Sequence, residues 1–202
     1  MVAKEVVDLL LQLSRALLAE SAEGALTTAQ WIALRYFSRA NKFSRTLTGL
    51  AAYQATTAGT TSQTIKSLEQ AGLIERDRSS EDARSSVFTL TDAGRATMEH
   101  DPLMHLAGEI ETLGESELLH LREIARYLIA NIGGAQTRHP FGTCENCIFL
   151  LTRRVKGPDG TITKEYLCKL LDLPIGDRKL ELLCKNFQPS EQPLRPRKIE
   201  PN

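Results

Sequence analysis

The sequence predicts a mainly α-helical domain with one small β-hairpin, followed by a smaller unit of hairpin and helix that holds every cysteine of the chain. Three observations predict it. Apolar residues recur at helical spacing up to about residue 132, the pattern changes to alternation in two short segments between residues 73 and 90, and all four cysteines follow residue 140. A chain of 202 residues suffices for one ordinary domain and an appendage.

The first elements are helices that begin at polar caps. An apolar stripe predicts a helix over residues 4–20, and three more helices are expected to end near Phe37, Gln54 and Ala71, the last one stopped by Gly72. Thr27 with Gln30 has the pattern of a capping box. The threonines expected to cap helices are Thr27, Thr48, Thr57 and Thr91.

Two short strands are predicted at residues 73–76 and 87–90, joined by a polar stretch rich in turn-forming residues. Thr91 then begins a long helical region with a break near residues 114–116. Its last part carries an apolar stripe, which indicates either a packing face within the chain or a dimer interface. The stripe consists of Leu118, Leu121, Ile124, Leu128 and Ile132.

Helix, helix, short turn, helix and hairpin is the order of a winged helix-turn-helix. The second helix of that unit has a polar face suited to base edges and phosphates in the major groove, and arginines flank the hairpin, where a wing reaches the DNA backbone or minor groove. The same face is also compatible with mere solvation. The candidate DNA-binding residues are Thr57, Thr60, Thr61, Ser62, Gln63 and Lys66 on the helix, and Arg76, Arg78 and Arg84 beside the hairpin.

Residues 5–135 resemble the MarR family of bacterial regulators. The matching words are Thr28-Ala29-Gln30-Trp31, Leu47-Thr48, Leu50-Ala51, Gly72-Leu73-Ile74-Glu75-Arg76, Asp82-Ala83-Arg84 and Leu90-Thr91-Asp92-Ala93-Gly94. The resemblance implies a homodimer with intertwined terminal helices and two winged lobes on double-stranded DNA. It adds Asp82 to the candidate DNA-binding residues, as the residue that positions Arg84. Gln63 departs from the family pattern, which often has arginine there.

The four cysteines have the spacing of a metal site. Cys144 and Cys147 form a C-x2-C pair, Cys168 follows after 20 residues, and Cys184 after 15 more. Strands at 148–155 and 161–167 would return Cys168 beside the pair, and a short helix from Asp177 to Lys185 would present Cys184. A unit of under ~50 residues has little core of its own, so a cross-linking metal makes physical sense.

The identity of the metal stays open at this point. Four dispersed cysteines among apolar neighbours favour an iron–sulfur cluster, structural zinc is the alternative, and a thiol–disulfide switch or inert cysteines remain a third possibility. The cofactor expectation is therefore a metal centre on Cys144, Cys147, Cys168 and Cys184 that modulates DNA affinity. The competing hypothesis is a repressor that responds to a small-molecule effector, with the cysteines in a stabilising or protein-binding appendage.

Composition bounds the remaining functions. No segment has the uncharged length of a membrane span or a signal peptide, which predicts a cytoplasmic protein without membrane contact. No nucleophile motif or phosphate-cradling glycine loop is present, so catalysis is not expected. Residues 1–136, the predicted DNA-binding and dimerisation domain, hold 13 Lys and Arg against 17 Asp and Glu, a net charge of −4. The predicted cysteine module spans 141–188, and residues 189–202 are expected to form a disordered tail.

Overall fold

The computed structural model describes residues 1–20, 26–77, 86–132, 141–156 and 161–190. In this part of the chain, helices precede the cysteines and a single hairpin interrupts them. The helices are α1 (Val2–Glu20), α2 (Thr28–Arg39), α3 (Leu47–Tyr53), α4 (Ala58–Gln70), α5 (Asp92–Met98), α6 (Leu103–Glu111) and α7 (Glu115–Ile132). Strands β1 (Ile74–Asp77) and β2 (Val87–Leu90) lie between α4 and α5 and pair antiparallel.

Local capping fixes where most of these helices begin. The Thr27 hydroxyl accepts the N–H of Gln30 at 3.3 Å, and the Gln30 side chain accepts the N–H of Thr27 at 2.7 Å, which confirms the capping box. Thr57 and Thr91 are the caps of α4 and α5, as predicted. The prediction for α3 was wrong by two residues, because Thr46 caps this helix and Thr48 does not.

The reason lies in the reach of the hydroxyl group. Thr46 has extended backbone dihedral angles, and its Oγ1 accepts the N–H of Gly49 at 3.1 Å, three residues on. Thr48 is already inside the first turn of α3, where its hydroxyl contacts that of Thr46 at 3.2 Å. Both threonines fit the sequence rule for a cap, so only the backbone geometry separates them.

The hydrophobic core lies between α2, α3, α4 and the hairpin. Its fully buried aromatic residues stack edge to face or tilted, with Phe37 5.6 Å from both Tyr36 and Phe88 between ring centroids. The buried members are Trp31, Ala33, Leu34, Tyr36, Phe37, Ala40, Leu50, Ile65, Leu68, Ile74, Phe88 and Leu90. This compact core holds α3 and α4 in a fixed relation to the hairpin, and the arrangement is a winged helix-turn-helix.

The terminal helices are exposed along apolar residues. On α1, Val7, Leu10 and Leu13 are each 44–55% exposed. On α7, which carries the predicted apolar stripe, Leu121 is 42% exposed, while Leu118, Ile124 and Leu128 are half-buried. Among the helices that the structure describes, none combines the length and the apolar character needed to cross a bilayer.

The part of the chain that bears the cysteines, residues 141–156 and 161–190, is here called the cysteine unit. It contains a three-stranded antiparallel sheet of β4 (Leu150–Lys156), β5 (Ile162–Cys168) and β6 (Leu173–Ile175). A second small sheet pairs β3 (Gly142–Thr143) with β7 (Leu183–Cys184). The hairpin of β4 and β5 is the one that the sequence predicted.

Two details of the cysteine unit differ from the sequence expectations. The predicted helix from Asp177 to Lys185 is only a 3-10 turn, Asp177–Lys179, and Cys184 lies on a strand instead. Leu183 and Cys184 are extended and not helical because β7 pairs with β3. The unit also continues past residue 188, since Pro189 bridges to Cys147 and the N–H of Ser190 donates to the Asn146 carbonyl at 2.8 Å.

Candidate functional site

The exposed face of α4 carries polar side chains over the buried residues Ile65 and Leu68. Thr60, Gln63 and Lys66 are exposed on it, and Ser62 is half-buried. At the start of the helix, Thr57 Oγ1 accepts the N–H of Thr60 at 3.2 Å and lies 3.0 Å from its hydroxyl. The face therefore offers one amide, one ammonium and short hydroxyl groups, which are groups that read base edges and bind phosphates.

Thr61 does not belong to this face. Its side chain is fully buried, and its hydroxyl donates to the Thr57 carbonyl at 3.0 Å. The cause is helical periodicity: Thr61 precedes the buried Ile65 by four residues, which places both on the core side of α4. The sequence expectation that Thr61 contacts DNA was therefore wrong.

Around the hairpin, the structure describes only one of the four predicted wing residues. Arg76 is about half exposed, lies over the ring of Phe88 at 5.3 Å, and is 3.5 Å from the Glu69 carboxylate. It is thus tied to the end of α4. The predicted contacts Arg78, Asp82 and Arg84 lie outside the described residues.

The fold brings all four predicted metal-ligating cysteines around one small cavity. Cys144 begins a 3-10 turn after β3, Cys147 ends that turn, Cys168 ends β5, and Cys184 lies on β7. The four are half-buried free thiols, so they are not joined in disulfides. Apolar side chains complete most of the lining, namely Phe149, Leu150, Leu170, Leu171 and Ile175, with Asn186 beside them.

Proximity and burial act on the acidity of one of these thiols. Burial, together with the neighbouring Cys184, Cys147 and Cys168, raises the pKa of Cys144 to about 11. The free thiol form is therefore favoured at neutral pH in the absence of a positive centre. A metal cation would reverse this preference because it stabilises the thiolate directly.

The four cysteines line the cavity together. Among the described residues, no group of three or more His, Cys, Asp or Glu side chains is arranged to hold a metal ion as it stands. The predicted ligands are thus gathered in one place, and the metal itself stays a prediction.

The cysteine unit packs directly against the turn between α2 and α3, residues 40–46, here called the α2–α3 turn. The N–H of Asn41 donates to the Leu183 carbonyl at 2.9 Å, next to Cys184. The N–H of Lys185, on the other side of Cys184, donates to Ser44 Oγ at 2.9 Å. Cys184 is therefore held on both flanks by the residues that lead into α3.

The same turn is also bonded to the hairpin. The Arg45 carbonyl accepts the N–H of Phe88 in β2 at 2.8 Å, and Arg45 Nε donates to the Ala40 carbonyl at 2.8 Å, which closes the turn. Burial lowers the pKa of Arg45. The α2–α3 turn thus lies between the cysteine unit and the wing, with hydrogen bonds to both.

Aromatic rings form a second contact between the two parts. Phe141, at the start of the cysteine unit, lies edge-on to Tyr36 at 5.9 Å and to Tyr53 at 5.1 Å between centroids. The hydroxyl of Tyr36 donates to the Ser44 carbonyl at 2.5 Å. Burial, and then Cys184 and Tyr53, raise the pKa of Tyr36 well above its usual value, so this phenol stays protonated as a donor.

Sequence reasoning missed this contact surface. One local signal was available: Asn41 and Ser44 have the spacing of a side-chain turn, in which Asn41 Oδ1 accepts the N–H groups of Phe43 and Ser44 at 3.1 and 3.0 Å. That signal predicts an ordered turn, but it says nothing about a partner that lies 141 residues further along the chain.

Comparison with known proteins agrees with the winged helix. The family model described as MarR family matches residues 26–85, which include α2, α3, α4 and β1 and end just before β2. The match ends before the cysteine unit. No curated protein matches the sequence of the chain.

Solved structures share the fold at low sequence identity. A single-residue mutant of MepR from S. aureus has a TM-score of 0.51 and 18% identity, over 66% of this chain and 99% of that one. MarR of Staphylococcus aureus, in complex with salicylate and kanamycin, has the same score and identity over 65% and 93%. These likenesses establish a winged-helix fold of the MarR type for that share of the chain.

Proposed function

We propose that this protein, as a winged helix of the MarR type, is a transcription regulator that binds double-stranded DNA as a homodimer. The observation that carries the proposal is the polar, exposed face of α4 on a rigid helix-turn-helix core within the segment that matches the family. A helix held in this way can enter the major groove, and two copies would read half-sites of a pseudo-palindromic operator about one helical turn apart.

Individual residues of α4 have different roles in this proposal. Gln63 presents an amide that can both donate to and accept from an adenine edge, whereas Lys66 suits a guanine or a phosphate. Thr57 and Thr60, at the start of the helix, lie where phosphates are bound by helix N-termini. On the wing, Arg78 and Arg84, with Asp82 positioning the latter, would contact the backbone or minor groove.

The dimer is supported by the exposed apolar residues of the terminal helices. Val7, Leu10 and Leu13 of α1, and Leu121 of α7, would expose a large apolar surface in a single chain. A self-complementary interface between two copies would remove it from water.

We further propose a metal centre on Cys144, Cys147, Cys168 and Cys184, with an iron–sulfur cluster favoured over zinc. A zinc site draws four sulfurs to ~2.3 Å from one ion. An iron–sulfur cluster is favoured by shielding from water, which suits four cysteines that line an apolar cavity. Metal analysis with a visible spectrum of anaerobically purified protein separates the two: iron, sulfide and brown colour, or zinc and no colour.

The contacts of Cys184 suggest how such a centre would modulate DNA affinity. Leu183 and Lys185 bond to Asn41 and Ser44, and the turn that contains these two residues leads into α3. Movement of Cys184 on loss or oxidation of the centre would therefore shift the α2–α3 turn, and with it the helix-turn-helix. Coupling of this kind is typically worth ~1–3 kcal/mol, or roughly 5- to 150-fold in affinity.

Fluorescence anisotropy tests both the base contacts and the phosphate contacts of α4. The duplex is one that the wild-type protein selects from a random library. We expect Gln63→Ala to weaken binding mainly to the selected sequence, by ~1–3 kcal/mol, because it removes a base contact. Lys66→Ala should weaken selected and random duplexes alike and reduce the salt slope by about 1 if Lys66 binds a phosphate. Absence of any duplex binding by the wild-type dimer would overturn the proposed function.

The same anisotropy assay distinguishes modulation of DNA affinity by the metal centre from the second candidate function. If the centre modulates affinity, chelated protein and the Cys144→Ser variant should each differ from the as-isolated protein in operator affinity. Equal affinities would favour the second candidate, a repressor released by a small molecule, in which Cys144→Ser lowers stability but leaves ligand-dependent release intact.

A further inference from the structure

The β4–β5 hairpin of the cysteine unit has two faces with different charge patterns. The antiparallel register places Arg154 directly opposite Lys164. Lys156 lies two residues beyond Arg154 and so shares its face. The remaining cross-strand pairs of this face, Leu150–Cys168, Thr152–Tyr166 and Lys156–Ile162, contain no acidic residue.

The opposite face is balanced. There Arg153 lies across from Glu165, and Val155 across from Thr163. One hairpin therefore presents a complementary charge pair on one side and three uncompensated cations on the other. We call the side with Arg154, Lys156 and Lys164 the basic face.

The basic face costs the hairpin stability when nothing is bound to it. Like charges directly opposite each other on neighbouring strands destabilise the pairing. Arg154, Lys156 and Lys164 are exposed, and none of them forms an ion pair with another residue in the part of the chain that the structure describes. An anionic partner would convert this repulsion into attraction.

The position of the hairpin indicates which anion is within reach. Its inner end, where Leu150 pairs with Cys168, lines the cysteine cavity, and that unit is bonded to the α2–α3 turn of the helix-turn-helix. Strands of seven residues extend about 20 Å from there at ~3.4 Å per residue. The hairpin that carries the basic face is thus attached to the domain proposed to contact DNA.

We propose that the basic face is a second DNA-contacting arm, which binds backbone phosphates flanking the site contacted by α4; this rests on the DNA-binding function proposed above. Lysine and arginine side chains bind phosphates through their charge, and such contacts carry no base specificity of their own. The arm also supplies positive charge that residues 1–136, with a net charge of −4, lack.

Salt dependence of DNA binding tests this arm in the full-length protein. The variant is the double substitution Arg154→Gln with Lys164→Gln, measured by anisotropy on the selected duplex with long flanks, on a random duplex, and on the selected duplex cut to its half-sites. Each lost phosphate contact reduces the slope of log K against log [salt] by about 0.9, so we expect a reduction of about 1.8 and up to ~60-fold weaker binding at 0.1 M salt. The loss should be equal for the selected and random flanked duplexes and small for the trimmed one.

Arg153→Gln is the matched control, because it removes one cation from the same strand but from the balanced face. It should leave the salt slope unchanged. The double variant should also be at least as stable to urea as the wild type, since a repulsive pair has been removed. An unchanged slope in the double variant, or an equal change in Arg153→Gln, overturns the arm. Failure of the wild type to bind any duplex overturns instead the proposed function on which the arm rests.

Discussion

The winged-helix part and the cysteine unit are held together in different ways. The first has a contiguous core in which Leu34, Tyr36 and Phe37 have almost no exposed surface. In the described part of the cysteine unit, Leu180 is the only hydrophobic residue buried to a comparable degree, at 8% exposure, and the four cysteines are half-buried. The two regions contact each other, yet among the described residues only the winged-helix part has the apolar core that a domain needs to fold alone.

This difference teaches where each region obtains its stability. About fifty residues bury too little apolar surface to offset the entropy of ordering them. The proposed metal centre would supply the cross-links that the cysteine unit needs, in addition to its contacts with the α2–α3 turn. The winged-helix part has a core of its own, so each perturbation should lower the stability of one region more than that of the other.

Removal of the proposed metal should have the largest effect, and only on the cysteine unit. Binding of a structural metal by cysteine is worth on the order of 10 kcal/mol of folding free energy. We expect chelation of the as-isolated protein to remove hydrogen-exchange protection from β3 to β7, while α2 and α4 keep theirs. Equal loss of protection in both regions would show that the winged-helix part also depends on the centre, and no loss in either would show that no metal stabilises the cysteine unit.

Truncation of a core side chain should instead destabilise the winged-helix part. Phe37→Ala deletes a fully buried ring that contacts Tyr36 and Phe88, and it should lower the free energy of unfolding by ~3–5 kcal/mol in urea denaturation. Ile162→Ala, at a residue 71% exposed on β5, serves as the control and should stay within ~0.5 kcal/mol of the wild type. A large effect of the control would mean that β5 is covered by something in solution.

A smaller change tests the contact between the regions. A Cβ at Gly49 would collide with the Ser44 carbonyl and the Tyr36 hydroxyl, so Gly49→Ala should cost ~1–3 kcal/mol and loosen the α2–α3 turn. It should also increase hydrogen exchange of Lys185, whose N–H is bonded to Ser44.

Gly59→Ala is the matched control for that change. A Cβ there would meet only Thr57 Oγ1, at 3.8 Å, on an exposed part of α4, and alanine should gain up to ~1 kcal/mol from its higher helix propensity. If Gly49→Ala and Gly59→Ala changed the free energy of unfolding equally, tight packing at the α2–α3 turn would not explain the effect of Gly49→Ala.

The sequence predicts local features well and long-range ones poorly. The capping box of Thr27 and Gln30, the cap at Thr57 and the strand 87–90 depend on residues within a few positions of one another, and the structure has all three. Thr61 was misassigned although the period of Ile65 and Leu68 already placed it inside. Thr61 was assigned to the DNA-binding face because its side chain is polar, although the helical period indicated a buried position.

The cysteine unit shows what local patterns leave out. The spacing of the cysteines predicted that they gather, and they line one cavity. The strand at Leu183–Cys184 was predicted as helix because its pairing partner, Gly142–Thr143, is about forty residues away, and the partner of Lys185 is Ser44. Such pairings depend on which surfaces meet in three dimensions, and no periodicity along the chain encodes them.

The hydrogen bond between Ser44 and Lys185 joins residues 141 positions apart, and this separation sets an order of events during folding. The buried core residues all lie between Trp31 and Leu90, so the winged-helix part can close while the remainder of the chain is still being synthesised. Closure of so long a loop comes last because the search for non-local contacts is slow. We therefore expect the helix-turn-helix of a newly made protein to form before it acquires the unit that covers its α2–α3 turn.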